Sequence, residues 1–183
     1  MLELNIEAAC CPNYDLPALQ SITLTARSPE GAQLSTLKAL RFADAGFDIG
    51  CLNRLVDAFD EHTSVAYHFA LELSKLKRSL RRRFAVEGMF ACGLIAVLDI
   101  RTTPLARGSR IGIELLNYLR KLHAGMEWFV ALQAAPQEEG DYDSPDYMAM
   151  RKRLIQYYKS DNSLGLAEVA PNVSAGVLMA IWR

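Results

Sequence analysis

Six consecutive residues have the composition of an anion-binding turn: Arg107, Gly108, Ser109, Arg110, Ile111 and Gly112. Apolar residues at helical spacing follow them, so the turn opens a predicted helix. The N-terminus of a helix exposes backbone N–H groups and a partial positive charge, and small residues let a phosphate reach that backbone. The chemistry indicated is phosphate binding. A tight turn with arginines on the surface has the same pattern, and the spacing alone leaves both interpretations open.

Two short apolar segments flank this turn and its helix. The first, at residues 94–98, is followed by Asp99, and the second is at residues 128–132. Runs this short and this apolar are typical of strands buried on both faces. Gly125 stands where the helix between them would stop. Strand, turn, helix and strand together predict a right-handed βαβ unit with parallel strands over residues 92–136.

The segment from Ile95 to Gly112, with the helix and strand after it, resembles the GNAT superfamily of acyl-CoA-dependent N-acetyltransferases. The pyrophosphate loop of that family reads Arg/Gln-x-x-Gly-x-Gly/Ala and lies between a strand and a helix. Arg107 stands at its first position and Gly112 at its last. Arg110 stands where the middle glycine belongs, which is a departure from the pattern. Residues 57–93, a helical region that leads into the first strand, also resemble uncharacterised GNAT-like proteins of bacteria and prophages. The resemblance as a whole covers residues 57–182.

The resemblance implies an α/β (α+β) fold: a mixed, mostly antiparallel sheet with a central splayed parallel pair and helices on both faces. It implies acetyl-CoA as co-substrate, with the acyl-pantetheine arm in the wedge between the splayed strands. Backbone groups near Ile100 and Thr102 would bind that arm, and residues 107–112 would bind the pyrophosphate. The implied activity is direct transfer of the acetyl group to the amine of an unidentified acceptor, a small molecule or a protein.

Candidate catalytic residues also come from the resemblance. Family members commonly have a late tyrosine, shortly before a Gly-Phe pair, that protonates the departing thiolate. Here Tyr157 and Tyr158 precede Gly165 and Leu166, with a longer gap and leucine in place of phenylalanine. Tyr158 is the first candidate and Tyr157 the second. Asp99 is the nearest carboxylate on the predicted central strand and is the candidate base, with a purely structural role as the alternative.

The whole chain, residues 1–183, is predicted to form one domain around this unit. Residues 1–47 are predicted to be strands, the first at residues 2–6, where apolar and polar residues alternate, with a hairpin turn at residues 28–31. Residues 48–83 are predicted to be helices, the first of which Asp48 can cap. Residues 144–183 are predicted to form a late helix and two closing strands. The second helix of residues 48–83 is predicted to turn five side chains inward: Val65, Phe69, Leu73, Leu76 and Leu80.

Composition and charge exclude several classes of protein. Hydrophobic residues make up 51% of the chain and charged residues 22%, as in ordinary globular proteins. The net charge of −1 gives no general attraction for nucleic acid or for a membrane surface. No apolar run is long enough to span a membrane and no signal peptide opens the chain, so we expect a cytoplasmic location.

Cysteine and histidine show no spaced ligand pattern, and the sequence predicts no metal site. The cysteines are predicted to be small buried apolar residues, with redox or metal chemistry at the adjacent pair as the alternative. The residues concerned are His62, His68, His123, Cys10, Cys11, Cys51 and Cys92.

Two charged segments leave functional alternatives open. Residues 75–83 are strongly basic, which fits a solvated helix end or a site for the 3′-phosphate of coenzyme A. Residues 137–143 form a predicted acidic loop, which fits solvated surface or attraction of an amine. The rival functions are a non-catalytic GNAT-fold protein that binds a partner or small ligand, and a nucleic-acid-binding module. A homodimer also stays open.

Overall fold

A computed structural model of the chain describes residues 4–12, 18–43, 56–59, 64–76, 79, 91–135, 144–169 and 176–183. Within these residues one sheet contains seven strands: β1 (Asn5–Pro12), β2 (Leu19–Arg27), β3 (Gln33–Ala43), β4 (Gly93–Thr102), β5 (Trp128–Gln133), β6 (Ala167–Glu168) and β7 (Val177–Trp182). Their order is β1-β2-β3-β4-β5-β7-β6. Only β4 and β5 pair in parallel; the other described neighbours are antiparallel. The predicted central parallel pair is confirmed.

Helices cover both faces of this sheet. They are α1 (Ser64–Lys75), α2 (Ile111–Leu122) and α3 (Pro145–Lys159), with short 3-10 helices at Pro104–Ala106 and Asn162–Leu164. Side chains of α1 pack with one face of the sheet, and side chains of α2 and α3 pack with the other. The predicted fold class is therefore confirmed: a mixed α/β fold with a mostly antiparallel sheet.

The apolar run at the start of β4 supplies both cores. Leu94 and Ala96 pack on the α1 face, whereas Ile95 and Val97 pack on the face that α2 and α3 cover. Successive side chains of a strand point to opposite faces, so a central strand between two helical layers must be apolar at every position. This requirement explains why the run shows no alternation.

The pairing of β4 with β5 is short, and β4 is irregular where that pairing ends. Only residues 94–97 of β4 pair with β5, although β4 stays paired with β3 as far as Thr102. Lys38 lies opposite Asp99 and Ala39 lies opposite Val97, so Leu98 is an extra residue. An extra residue of this kind is a β-bulge, which bends and twists its strand. The two parallel strands therefore part beyond Val97, as the predicted splay requires.

The N-terminal strands agree with the sequence analysis except at the start. The hairpin turn is confirmed, since the Gly31 N–H donates to the Ser28 carbonyl at 2.9 Å. The first strand was predicted at residues 2–6, but it extends from Asn5 to Pro12. This strand is mostly exposed because it lies at the sheet edge, beyond the helices. Strict alternation over residues 2–6 therefore gave the wrong bounds.

One predicted core position on the second helix, Val65, is wrong. Val65 is 57% exposed, and the buried stripe of α1 is formed by Ala66, Phe69, Ala70 and Leu73. One residue along a helix is a rotation of about 100°, which takes Val65 off a stripe that contains Ala66. The predicted helix also ran past residue 80, whereas α1 ends at Lys75.

The predicted burial of the cysteines is also wrong for the adjacent pair. Cys10 and Cys11 are exposed on the edge strand β1, and Cys92 is half-buried. A further group of predictions lies outside the described residues: the helix start at Asp48, Cys51, the acidic loop 137–143, the turn at Pro171-Asn172, and most of the basic segment.

Replacement of Gly93 by alanine should unfold the protein, because a Cβ there would lie 2.0 Å from the carbonyl oxygen of Phe42. We expect a loss of more than about 4 kcal/mol in the free energy of unfolding. Gly125→Ala is the matched control, since its φ is also positive but no atom lies within 4 Å of an added Cβ. It should cost about 1–2 kcal/mol. Denaturant unfolding measures both; equal losses would contradict the steric argument.

Candidate active site

A cavity of about 380 Å³ opens where β4 and β5 part. Cavities of this size commonly hold small-molecule ligands. Elements that contribute to its wall are the end of β4, the turn before α2, the residues after β5, and one face of α3. The lining residues are Ile100, Thr102, Ala106, Arg107, Gly108, Arg110, Ile111, Gly112, Ala135, Met150, Arg153, Leu154, Tyr157 and Tyr158. Seven of the eight residues predicted to bind the cofactor are thus brought together; Ser109 is not among them.

The turn before α2 keeps the backbone of a glycine-containing loop in spite of its sequence. Arg110 has φ 62° and ψ 11°, the left-handed conformation that glycine adopts without strain. Among the described residues it is the only residue other than glycine with a positive φ. The family pattern has glycine at this position, so Arg110 departs from it in residue type and not in backbone shape. Its guanidinium lies 3.8 Å from the Asp161 carboxylate.

The hydroxyl of Tyr157 lies at the N-terminus of α2. The Ile113 N–H donates to it at 3.3 Å, and a Cβ on Gly112 would lie 3.2 Å from it. Arg110, the N-cap residue, makes no capping hydrogen bond with its side chain. Tyr157 therefore satisfies one of the backbone donors that a helix start leaves free. Burial raises the pKa of Tyr157, and the Ile113 N–H opposes that rise, so the phenol is neutral at physiological pH.

Tyr158 is buried, with 8% of its surface exposed, but it lines the cavity. Its ring packs edge-on against Tyr157, with centroids 5.2 Å apart. Among the described residues its hydroxyl has no hydrogen-bond partner. Burial raises the pKa of Tyr158, and the nearby Tyr157 and the Asp99 carboxylate raise it further. The hydroxyl thus stays protonated at neutral pH.

Two of the predicted site residues lie outside the cavity wall. The Asp99 carboxylate is 2.6 Å from the Arg101 guanidinium, and Asp99 does not line the cavity. The Ser109 hydroxyl donates to the carbonyl of Ala106, which turns it toward the preceding 3-10 helix. Asp99 therefore cannot contact a ligand in the cavity directly, and its role as a base stays a prediction.

Helix α3 is held at both of its ends. Ser144 caps its start, where the Tyr147 N–H donates to the serine hydroxyl at 3.2 Å. Beyond its end, Asp161 accepts from the side-chain amide of Asn117 on α2 at 3.1 Å. The second of these bonds connects the two helices that carry Tyr157 and its partner N–H. The positions of both tyrosines relative to α2 are thereby fixed.

Sequence analysis missed part of the wall. The missed lining residues are Ala106, Ala135, Met150, Arg153 and Leu154. Met150, Arg153, Leu154 and Tyr157 are spaced three and four apart, so they share one face of α3. That spacing is the signal that could have grouped them with the tyrosine. Arg153 is the third arginine of the described wall, after Arg107 and Arg110, and no Asp or Glu is among the residues that line it.

Other candidate sites find no support among the described residues. No group of three or more His, Cys, Asp or Glu side chains in them could hold a metal ion. Lys75, the described member of the basic segment that ends α1, pairs with Glu72 at 2.6 Å. That pair lies on the helix that covers the opposite sheet face from the cavity. None of the described helices is long and apolar enough to cross a membrane.

Comparison with known proteins gives little. No family model matches the sequence, and no curated protein is significantly similar to it. Among solved structures, the chain is similar to a mutant agmatine N-acetyltransferase in its apo form. That similarity has a TM-score of 0.43 and 16% sequence identity, and it covers 79% of this chain and 57% of the other. A similarity at this level identifies neither an activity nor an acceptor.

Arg110→Gly should stabilise the protein by about 1 kcal/mol, because it removes the cost of a left-handed arginine and loses only a weak exposed ion pair. Arg107→Gly is the matched control. The φ of Arg107 is −61°, where glycine brings no relief and adds flexibility to the unfolded chain. Thermal or denaturant unfolding measures both. A loss of stability in Arg110→Gly as large as in the control would show that the turn is not strained.

Proposed function

We propose that this chain is an N-acetyltransferase that moves an acetyl group from acetyl-CoA directly to an amine. One observation carries the proposal: a single cavity joins the parted ends of two parallel strands to a helix N-terminus flanked by arginines. The first part is shaped for an extended acyl-pantetheine arm, and the second has the charge and backbone donors that a diphosphate needs.

The walls of the cavity fit the two parts of such a ligand. The pairing of β4 with β5 ends at residue 97. Beyond that point, backbone groups near Ile100 and Thr102 would bind the amides of the arm. Apolar side chains, including Ala106 and Leu154, complete this part of the wall. The diphosphate would lie at Gly112, at the N-terminus of α2, in a cavity that Arg107 also lines.

Tyr158 is the proposed general acid. The neutral amine attacks the thioester carbonyl, the new C–N bond forms, and the C–S bond breaks with its electron pair leaving on sulfur. The Tyr158 hydroxyl can donate a hydrogen bond to that sulfur and then its proton, because burial and Asp99 keep it protonated. Tyr157, the second candidate, already accepts a hydrogen bond from α2, so it fits a role at the diphosphate better.

The amine must lose a proton before or during attack. Asp99 does not line the cavity, so we propose that it accepts this proton through a water molecule.

The rival proposal, a non-catalytic protein with this fold, was motivated by Arg110 in place of glycine. The left-handed backbone of Arg110 weakens that motive, because the turn keeps the shape that glycine would give it. Both proposals predict a ligand in the cavity. Turnover with a panel of amines separates them.

Acetyl-CoA should stabilise the wild-type protein. At about 100 times Kd the gain is about 2.7 kcal/mol, a rise in Tm of about 5–10 °C. Gly112→Glu should abolish the rise, because its Cβ would meet the Tyr157 hydroxyl at 3.2 Å and its charge would repel the diphosphate. Differential scanning fluorimetry measures both.

Lys121→Glu controls for the added negative charge, since Lys121 is exposed in the last turn of the same helix and lies outside the cavity wall. It should keep the full shift. A wild-type protein that does not respond to millimolar acetyl-CoA would refute acetyl-CoA binding, and a rise in Gly112→Glu equal to wild type would place the ligand elsewhere.

Tyr158→Phe should lower kcat by about 10²-fold or more, because it removes only the proton donor, and it should leave acetyl-CoA affinity nearly unchanged. The matched control is Tyr118→Phe. Tyr118 packs against the same core but does not line the cavity, so kcat should stay near the wild-type value. Steady-state kinetics with an acceptor from the amine panel gives the comparison. An unchanged kcat in Tyr158→Phe would remove this residue from the mechanism.

A further inference from the structure

One arginine in the cavity wall is not used by the proposed diphosphate site. Arg153 lies on α3, is exposed, and lines the cavity. Among the described residues its side chain has no hydrogen-bond or ion-pair partner, whereas Arg110 in the same wall lies 3.8 Å from Asp161. A guanidinium is always charged and carries five donors, so Arg153 is available to an anion that enters the cavity.

Arg153 stands apart from the helix N-terminus that would hold the diphosphate. It precedes Tyr157 by four residues, so the two share one face of α3 and are about 6 Å apart along the helix axis. Tyr157 marks the start of α2, where its hydroxyl accepts from the Ile113 N–H at 3.3 Å. The cavity wall therefore has two positions that favour negative charge, the start of α2 and Arg153, whose backbone lies one helical turn from Tyr157.

A ligand that uses both positions has a diphosphate and a second, separate anionic group. On the basis of the proposed function, we infer that Arg153 binds the ribose 3′-phosphate of coenzyme A. This phosphate is the part of the cofactor that is charged and distinct from the diphosphate. A guanidinium can bind it through two parallel hydrogen bonds, which gives the site geometric selectivity as well as attraction.

The other candidate for this phosphate was the basic segment at residues 75–83. Its described member, Lys75, lies on α1, which packs on the opposite face of the sheet, and it is already paired with Glu72. The cavity is built from the face that α2 and α3 cover. Arg153 is therefore on the same side of the sheet as the cavity, whereas Lys75 is on the other side.

The consequence is discrimination between coenzyme A and its form without the 3′-phosphate. Wild-type protein should bind acetyl-CoA about tenfold or more tightly than acetyl-dephospho-CoA, which lacks only that group. Arg153→Gln should lose this preference by weakening acetyl-CoA alone. Arg153→Lys keeps the charge but not the planar fork, so it should retain only part of the preference.

Isothermal titration calorimetry with both ligands tests the inference, and Lys152→Gln is the matched control. Lys152 is exposed, has the same charge and is adjacent in sequence, but it does not line the cavity. The expected result is a preference kept in Lys152→Gln and lost in Arg153→Gln. Equal wild-type affinities for the two ligands, an equal loss for both ligands in Arg153→Gln, or the same loss in the control would overturn the inference while acetyl-CoA binding stands. If neither ligand binds folded wild-type protein, both the inference and the proposed function are wrong.

Discussion

The extra residue in β4 determines which side chains reach the cavity. Ile95 and Val97 face the α2 side of the sheet, and strict alternation would place Asp99 there next. Leu98 is the bulge residue, and beyond it Ile100 packs with the α2-side core and lines the cavity, whereas Asp99 does not. The cavity wall therefore has the apolar side chain of Ile100 where strict alternation would have placed the carboxylate of Asp99. The same bulge bends β4 away from β5, so the cavity and its lining have one cause.

The central unit could be predicted from the sequence because its signals are local and mutually consistent. Continuous apolar runs are required of strands between two helical layers, and the turn composition and helical spacing between them agree with that layout. Most of the predicted cofactor-binding residues therefore line one cavity. Arg110 is an exception to the expected residue type, because arginine rarely adopts the left-handed backbone that it has in this turn.

The features that could not be predicted depend on tertiary context. A bulge leaves no reliable trace in hydrophobic alternation, so Asp99 was assigned from a regular strand. Arg153 is a polar residue on an amphipathic helix, and only the packing of α3 beside the parted strands turns it toward a cavity. Cys10 and Cys11 have the residue type of a core, but their strand is the last in the sheet and has no layer over it.

Under the proposed function, the hydrogen bond between Tyr157 and the start of α2 makes diphosphate binding an exchange of acceptors. The Ile113 N–H is already satisfied by the phenol oxygen, so a phosphate that takes this donor gains only the difference between the two partners. The displaced phenol must then find another partner or donate to the incoming oxygen. Because Tyr158 is the next residue of the same helix and its ring packs against Tyr157, any movement that frees the donor also moves the aromatic pair. A ligand that binds at the start of α2 would therefore also shift Tyr158.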